Sequence, residues 1–247
     1  MSLSAEQIGF FRSNGYLLVP GAMEVDLCAR VREMMWQALP PGASLARNDV
    51  TSHVGPFPDA DRSADSLHFR EGYWTLPYGN TTREPDACHT DGHPFQLGVV
   101  GLIDDIPKDS GAFKVWPGSH KRLYPTFQLR YDQPRIPYYD HLPSFKGIVH
   151  TPEYLAEIEK LNSDTEAVEC WGSTGDIVFW HHREAHMAGH NYSDVIRQAV
   201  LADFWKTDFD HRRMEPAQGE MWRDWSAAMQ ASDGRYSTTF AEAQRLG

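Results

Sequence analysis

The chain has 247 residues, 41% hydrophobic and 12% aromatic, which is enough to bury one substantial core, and a single domain spanning 1–247 is expected. A formal net charge of -11 with no lysine-rich or arginine-rich run argues against nucleic acid or anionic lipid as a partner. The opening MSLSAEQIGFF lacks a basic region followed by a long apolar stretch, and no run reaches membrane-spanning length, so no membrane association and a cytoplasmic location are expected.

Cys28, Cys88 and Cys170 are widely spaced and odd in number, which suggests reduced thiols rather than a disulfide framework or a thiolate zinc site. In chain order, Ser4-x-x-Gln7 is a capping-box pattern ahead of Ile8, Phe10 and Phe11, and predicts a helix over 4–14 that Gly15 stops. A strand over Tyr16–Val19 follows. Leu27, Val31, Met34 and Met35 recur at helical spacing up to Pro40-Pro41, predicting a second helix over 25–39 with this stripe in the core. Residues 41–88 are rich in Gly, Pro, Asp and Ser and read as loops with short strands.

Four short apolar segments, Phe95–Ile103, Ala112–Trp116, Asp176–Trp180 and Ile196–Phe204, are bounded by turn residues and read as strands of an antiparallel sandwich. Residues 121–167 between them read as a lid or side wall, with one helix starting at Thr151-Pro152 and running through Leu155, Ile158 and Leu161. The tail after Asp210 has a helical pattern that places Met221, Trp222, Trp225 and Met229 on one face.

The chemistry begins at His89-Thr90-Asp91. On an extended strand residues two apart share a side, so an imidazole and a carboxylate come together. Two histidines and one carboxylate on one face of a metal, with the other positions open, are what a non-haem Fe(II) oxygenase requires. By itself His-x-Asp is a weak signal, and a hydrogen-bonding pair is its commoner meaning. The segment from Gly175-Asp176 through an apolar strand to His186, Gly189, Asn191, Ser193 and Arg197 supplies the context. It resembles the distal-histidine motif of the phytanoyl-CoA dioxygenase family. Two further stretches match the same family: Phe10-Phe11, Asn14-Gly15-Tyr16 and Val19-Pro20-Gly21 near the start, and Asp104-Asp105, Gly111, Val115 and Pro117-Gly118-Ser119-His120-Lys121.

The resemblance implies a mainly β fold, a cupin-like double-stranded β-helix or jelly roll with flanking α-helices. It implies an Fe(II)- and 2-oxoglutarate-dependent dioxygenase that takes oxygen and a small molecule as partners. His89, Asp91 and His186 are then the catalytic iron ligands, and Arg197, with Ser193, holds the distal carboxylate of 2-oxoglutarate. A guanidinium suits that task because its planar fork binds a carboxylate bidentately. Related halogenases have a small residue at the position of Asp91, so Asp91 argues for oxygenation.

Other histidines compete for these roles. His181 and His182 are adjacent and point to opposite faces of a strand, so they cannot both reach one metal. His190 reads as loop packing and His120 as part of a tight turn. His93 shares a side with His89 and Asp91 if the strand stays regular, which Gly92 and Pro94 oppose, and it is a substrate-pocket candidate together with Tyr73 and Trp74. A zinc hydrolase or isomerase on the same ligands leaves Arg197 and Ser193 without a task. A non-catalytic binding protein of the same fold has no need of the triad and Arg197 together. An acidic chain attracts the phosphates of a coenzyme A thioester poorly, so a smaller metabolite or natural-product intermediate is the expected substrate. Phe95, Tyr124, Phe127, Tyr138 and Tyr139 suit one that is partly apolar.

Overall fold

The computed structural model describes residues 2–39, 41–55, 72–79, 82–94, 96–130, 147–212, 214–216 and 219–234. Ser4 opens the first helix, α1 (Ala5–Asn14), by reciprocal bonds: its hydroxyl accepts from the Gln7 N–H and its own N–H donates to the Gln7 side chain, as the capping box requires. Gly15 ends α1 in the left-handed conformation, φ 80°, with its N–H closing on the Phe11 carbonyl. A side chain at this position would collide with the Glu184 carboxylate and the His120 ring. Glycine is therefore needed here for the turn and for the close approach.

The strands are β1 (Tyr16–Val19), β2 (Gly72–Thr75), β3 (Leu97–Leu102), β4 (Phe113–Val115), β5 (Gln128–Leu129), β6 (Ile148–Val149), β7 (Val168–Cys170), β8 (Ile177–His181), β9 (His186–Ala188) and β10 (Arg197–Phe204). A five-stranded antiparallel sheet has the order β1-β8-β3-β10-β2, and a three-stranded one the order β7-β4-β9. A bridge between His89 and His186 extends the smaller sheet past β9. From β3 onward the chain passes back and forth between the two sheets, so sheet neighbours are distant in sequence. That is the topology of a jelly roll, and the four expected strands sit within a residue or two of their predicted ends.

The core lies between the sheets, where Val100, Leu102, Val178 and Ala199 of the larger sheet pack with Phe113, Val115 and Cys170 of the smaller. Phe113 meets Trp180 across this layer with ring centroids 5.0 Å apart. Gly98, paired with Trp180 in the ladder, lies so close under the indole that any Cβ would overlap it. Each fully buried Leu, Val or Phe in this layer contributes roughly 1.5–3 kcal/mol.

Helix α2 (Val25–Gln37) covers the outer face of the larger sheet. It packs with Cys28, Val31 and Met35 against Ile103, Trp74 and Val200. Of the expected stripe, Val31 and Met35 pack inward, and Leu27 and Met34 are corrected: they are 44% and 66% exposed, because the buried arc of the helix is centred on 28, 31 and 35. Helices α3 (Ser119–Leu123) and α4 (Pro152–Asp164) share a second apolar cluster containing Cys88, Trp116, Leu123, Tyr154, Leu161, Ala185 and Met187. Thr151 caps α4, its hydroxyl accepting from the Tyr154 N–H, with Pro152 in the first turn. Of the span 121–167 expected to form a lid, residues 131–146, with Tyr138 and Tyr139, lie outside the described residues, as does Phe95.

The helical pattern of the tail is only partly realised in its described residues. Two short helices, α5 (Phe209–Arg212) and α6 (Ala227–Ala231), flank turns around 219–225. Pro216 and Gly219 interrupt the helical hydrogen-bond series. The apolar residues still go inward: Phe11 of α1 meets the Trp225 and Trp222 rings at 5.6 and 6.1 Å. All three cysteines are buried free thiols. Among the described residues no helix is long and apolar enough to cross a membrane.

Candidate metal centre

His89, Asp91 and His186 converge, each offering one ligand atom, and these atoms all lie within 4.8 Å of one another. Strand β9 begins with His186, which is bridged to His89 and paired with Val115 of β4. The backbone bonds of the bridge run both ways, His89 N–H to the His186 carbonyl at 3.0 Å and the reverse at 2.9 Å. The Asp91 carboxylate lies between the two imidazoles, Oδ2 at 2.9 Å from His186 Nε2 and Oδ1 at 3.8 Å from His89 Nε2. Three ligands on one face of an octahedral ion with bonds of about 2.1 Å stand about 3 Å apart, so small side-chain movements make this cluster a facial set.

The protonation states suit the same purpose. Burial, with the charge of His186 beside it, lowers His89 to about 4 and keeps its imidazole neutral. For Asp91 burial works against ionisation, but the attraction and hydrogen bond of His186 win and hold its carboxyl well below the usual range. Burial also disfavours a charged His186, yet Asp91 beside it raises its pKa overall. The other ring nitrogen of His186, Nδ1, is 2.8 Å from the Glu184 carbonyl oxygen, which fixes the tautomer and leaves Nε2 for a metal. Aromatic rings close the inner side, with Phe113 and Trp180 centred 5.2 and 5.5 Å from the His186 ring.

Arg197, the first residue of β10, is 4% exposed. It shares a face with Ala199, which lies in the core between the sheets. Among the described residues no carboxylate pairs with it: Nη1 donates to Thr75 Oγ1 at 3.3 Å, and Nε has no bonding partner. Burial lowers its pKa to about 10, with the Tyr73 hydroxyl acting the other way, so it remains a cation at neutral pH. A buried guanidinium without an anion suits the binding of a dicarboxylate such as 2-oxoglutarate.

Among the described residues no hydrogen bond joins Ser193 to Arg197. Its hydroxyl is engaged within its own loop, 2.8 Å from Asn191 Oδ1 and 3.3 Å from the Val195 carbonyl, and accepts from the Val195 N–H at 3.2 Å. Thr75 stands next to Arg197 instead, brought there by the pairing of β2 with β10, in which Arg197 faces Thr75. Asn191 secures this join through Nδ2, which donates to the Thr75 and Val195 carbonyls at 2.8 and 2.7 Å.

The pocket candidates separate. Tyr73 is 44% exposed and lies on the Arg197 side of β2. Trp74 is corrected: it points to the other face, with its ring 4.6 Å from Trp36 of α2 and its Nε1 donating to Gln198 at 3.0 Å. His93 is also corrected, because Gly92 at φ 24° breaks the alternation. Its ring is wholly buried against Phe127 and Phe209, at 5.6 and 5.2 Å, and is not one of the three clustered ligands.

His181 and His182 do part company as a strand demands. His181 turns to Trp222 and Trp225, while His182 Nδ1 and Nε2 lie 2.7 Å from Gln96 and 3.2 Å from Asp203. His190 is 2.7 Å from the Tyr78 hydroxyl, and His120 pairs with Glu184 at 2.8 Å. Sequence reasoning missed Thr75 and also His150, which is exposed, stacks on Tyr154 at 4.4 Å and is near enough to help lower His89. No local pattern marks either residue.

The sequence model for phytanoyl-CoA dioxygenase (PhyH) matches residues 58–199. The chain belongs to the phytanoyl-CoA dioxygenase family. It is a non-haem Fe(II)- and 2-oxoglutarate-dependent dioxygenase, and a family of this chemistry explains why a His-Asp-His cluster and a carboxylate-free arginine occur together. Among curated proteins nothing matches. Solved structures similar to this family member include the α-ketoglutarate-dependent carbocyclase SnoK from nogalamycin biosynthesis, 20% identical over 89% of this chain and 95% of that one, TM-score 0.50. EvdO2 from Micromonospora carbonacea var. aurantiaca with 2-oxoglutarate is 19% identical over 84% and 95%, TM-score 0.46. EctD from S. alaskensis with 2-oxoglutarate and 5-hydroxyectoine is 16% identical over 81% and 75%, TM-score 0.47. At 20% identity the likeness to SnoK speaks to the fold alone, a cupin-like barrel.

Proposed function

We propose that this dioxygenase oxidises an unactivated C–H bond of a small, partly apolar metabolite or natural-product intermediate, by hydroxylation or by desaturation or ring formation at the same carbon. In the hydroxylating case one oxygen atom of O2 enters the product and the other enters succinate, with release of CO2 from 2-oxoglutarate. The observation that carries the reading is the combination of the His89, Asp91 and His186 cluster with a buried Arg197 that no described carboxylate neutralises.

When bound, Fe(II) would bring together O2, which is the oxidant, and 2-oxoglutarate, which would supply two electrons as it is decarboxylated to succinate. The chain supplies placement. His89, Asp91 and His186 hold the metal from one side and leave the opposite side open. Arg197, with Thr75 in the place expected for Ser193, holds the distal carboxylate of 2-oxoglutarate and so orients its keto acid end. The Glu184 carbonyl keeps His186 facing the metal, and the Phe113 and Trp180 rings keep water from its inner side. Tyr73, exposed on the Arg197 side of β2, and the exposed His150 are the candidates to meet the substrate. The acidic chain, with a net charge of -11, favours such a substrate over a polyphosphorylated acyl thioester.

The test is anaerobic titration of the metal-free protein with Fe(II) and then 2-oxoglutarate. A visible metal-to-ligand charge-transfer band that needs both components supports the reading, and succinate release in air then screens for substrate. Iron binding with no band upon adding 2-oxoglutarate would remove Arg197 from its role and the oxygenase reading with it.

A further inference from the structure

Thr90 stands between two of the metal ligands and is itself buried. Its N–H donates to the Tyr154 hydroxyl at 3.1 Å, and its Oγ1 lies 3.2 Å from the same oxygen. Arg183 completes the arrangement: Nη1 donates to Thr90 Oγ1 at 2.9 Å, and Nη2 to the Leu123 carbonyl at the end of α3 at 3.1 Å. The guanidinium carbon lies 5.3 Å from the Phe127 ring centre and 5.5 Å from that of Tyr154. Arg183 is 2% exposed, no described carboxylate bonds to it, and its Nε has no bonding partner.

Burying a guanidinium with no counter-charge bonded to it is unfavourable, so its contacts show what the burial achieves. They converge on the short segment that carries His89 and Asp91. That segment has little restraint of its own. Outside the single bridge of His89 it belongs to no strand, and Gly92 turns it away at φ 24°. Side-chain bonds from elsewhere replace the missing ladder. Two come from α4, Tyr154 at Thr90 and Asn162 Oδ1, which accepts from the Cys88 N–H at 3.3 Å. The third comes from Arg183, in the turn between β8 and β9, three residues before His186. The Arg183 N–H donates to His181 Nδ1 at 3.0 Å, which holds that turn against β8.

We propose that Arg183 and Tyr154 are positioning residues, a clamp on Thr90 that presents His89 and Asp91 to the metal on one side and ties them to the turn bearing His186. The described part of the region expected as a lid then acts as a buttress behind the ligands. This inference rests on the reading of His89, Asp91 and His186 as the metal ligands.

Tyr154→Phe and Thr90→Val in the full chain each remove one hydroxyl and preserve shape, and Thr90→Ser restores the bond at position 90. Three quantities are measured anaerobically: Fe(II) affinity, the visible spectrum with Co(II) in the same site, and the melting temperature of the metal-free protein. The clamp predicts that Tyr154→Phe and Thr90→Val each weaken Fe(II) binding by about tenfold or more and alter the Co(II) spectrum, while Thr90→Ser binds as the parent does. The double variant is expected to lose less than the product of the two single effects, because both substitutions remove the contact between Thr90 Oγ1 and the Tyr154 hydroxyl.

Unchanged Fe(II) affinity and Co(II) spectrum in both variants, even with a lowered melting temperature, would overturn the proposal and leave the three residues a purely structural cluster. A parent that binds Fe(II) but shows no charge-transfer band with 2-oxoglutarate defeats the oxygenase reading alone, since metal affinity still decides the clamp. A parent that binds no divalent ion overturns both.

Discussion

The Asp91 carboxylate and the His186 imidazole are joined at 2.9 Å, so two of the three candidate ligands meet each other directly. Each favours the charged form of the other, Asp91 being lowered and His186 raised. A metal must displace the His186 proton to reach Nε2. Affinity for Fe(II) should therefore fall about tenfold for each pH unit below the pKa of His186 in the folded protein, and level off above it. Titrations across neutral pH in weak buffer, with an indicator for released protons, check this: uptake with no proton release at slightly acid pH contradicts the assignment.

Removing a ligand has a different signature from disturbing its support. His186→Ala or Asp91→Ala should weaken Fe(II) binding by more than about a hundredfold, beyond the range usual for outer partners. His182→Ala should leave metal affinity within a few-fold of the parent. Its cost is in stability, roughly 1–3 kcal/mol, because Gln96 and Asp203 lose their buried partner. Metal titration and thermal melting on all three variants separate the two effects, and normal affinity in His186→Ala would sink the triad.

Arg197 and its neighbours carry a prediction about the co-substrate alone. Arg197→Lys should weaken 2-oxoglutarate binding by about tenfold or more and leave Fe(II) affinity near that of the parent, because a point charge replaces the planar fork. Thr75→Val should act in the same direction and less strongly, since it removes only the hydroxyl beside Nη1. Ser193→Ala should do less than Thr75→Val, its hydroxyl being engaged with Asn191 and Val195. The concentration of 2-oxoglutarate that half-saturates the charge-transfer band reads all three, and a larger loss in Ser193→Ala than in Thr75→Val reverses the assignment.

Much of this was legible in the sequence wherever the signal was local. Ser4 and Gln7, Gly15, and Thr151 with Pro152 mark helix ends because their chemistry acts within a turn, and the motif residues from His186 to Arg197 are close enough to be read together. What escaped depends on partners far along the chain. Trp74 and Thr75 differ in facing only through their register with Gln198 and Arg197, and nothing in the Gly-rich, Pro-rich stretch before them states that register. Of the stripe expected on α2, Val31 and Met35 are in the core while Leu27 and Met34 are not, because Leu27 and Met34 are as apolar as Cys28 and Met35 and only packing on Ile103 and Val200 decides between them. The tail shows the reverse, with its helix broken but its tryptophans still in the core.

Glu184 offers a last prediction, because its side chain and its backbone serve different neighbours. The carboxylate accepts from the His120 N–H at 3.0 Å and approaches His120 Nδ1 at 2.8 Å, with both side chains fully buried. Ser119 Oγ accepts from the Ala185 N–H at 2.7 Å, so the turn before β9 is pinned to the first residues of α3. Glu184→Ala would leave His120 buried with only the Arg12 carbonyl, 3.2 Å from Nε2, and should cost roughly 1–3 kcal/mol. Glu184→Gln keeps an acceptor for the His120 N–H and should cost less. The contact that orients His186 comes from the Glu184 carbonyl, which either substitution retains. Glu184→Gln should therefore melt at a lower temperature than the parent yet bind Fe(II) within a few-fold of it. If Fe(II) affinity falls while the melting temperature holds, the side chain rather than the backbone governs His186, and the division of roles drawn here is wrong.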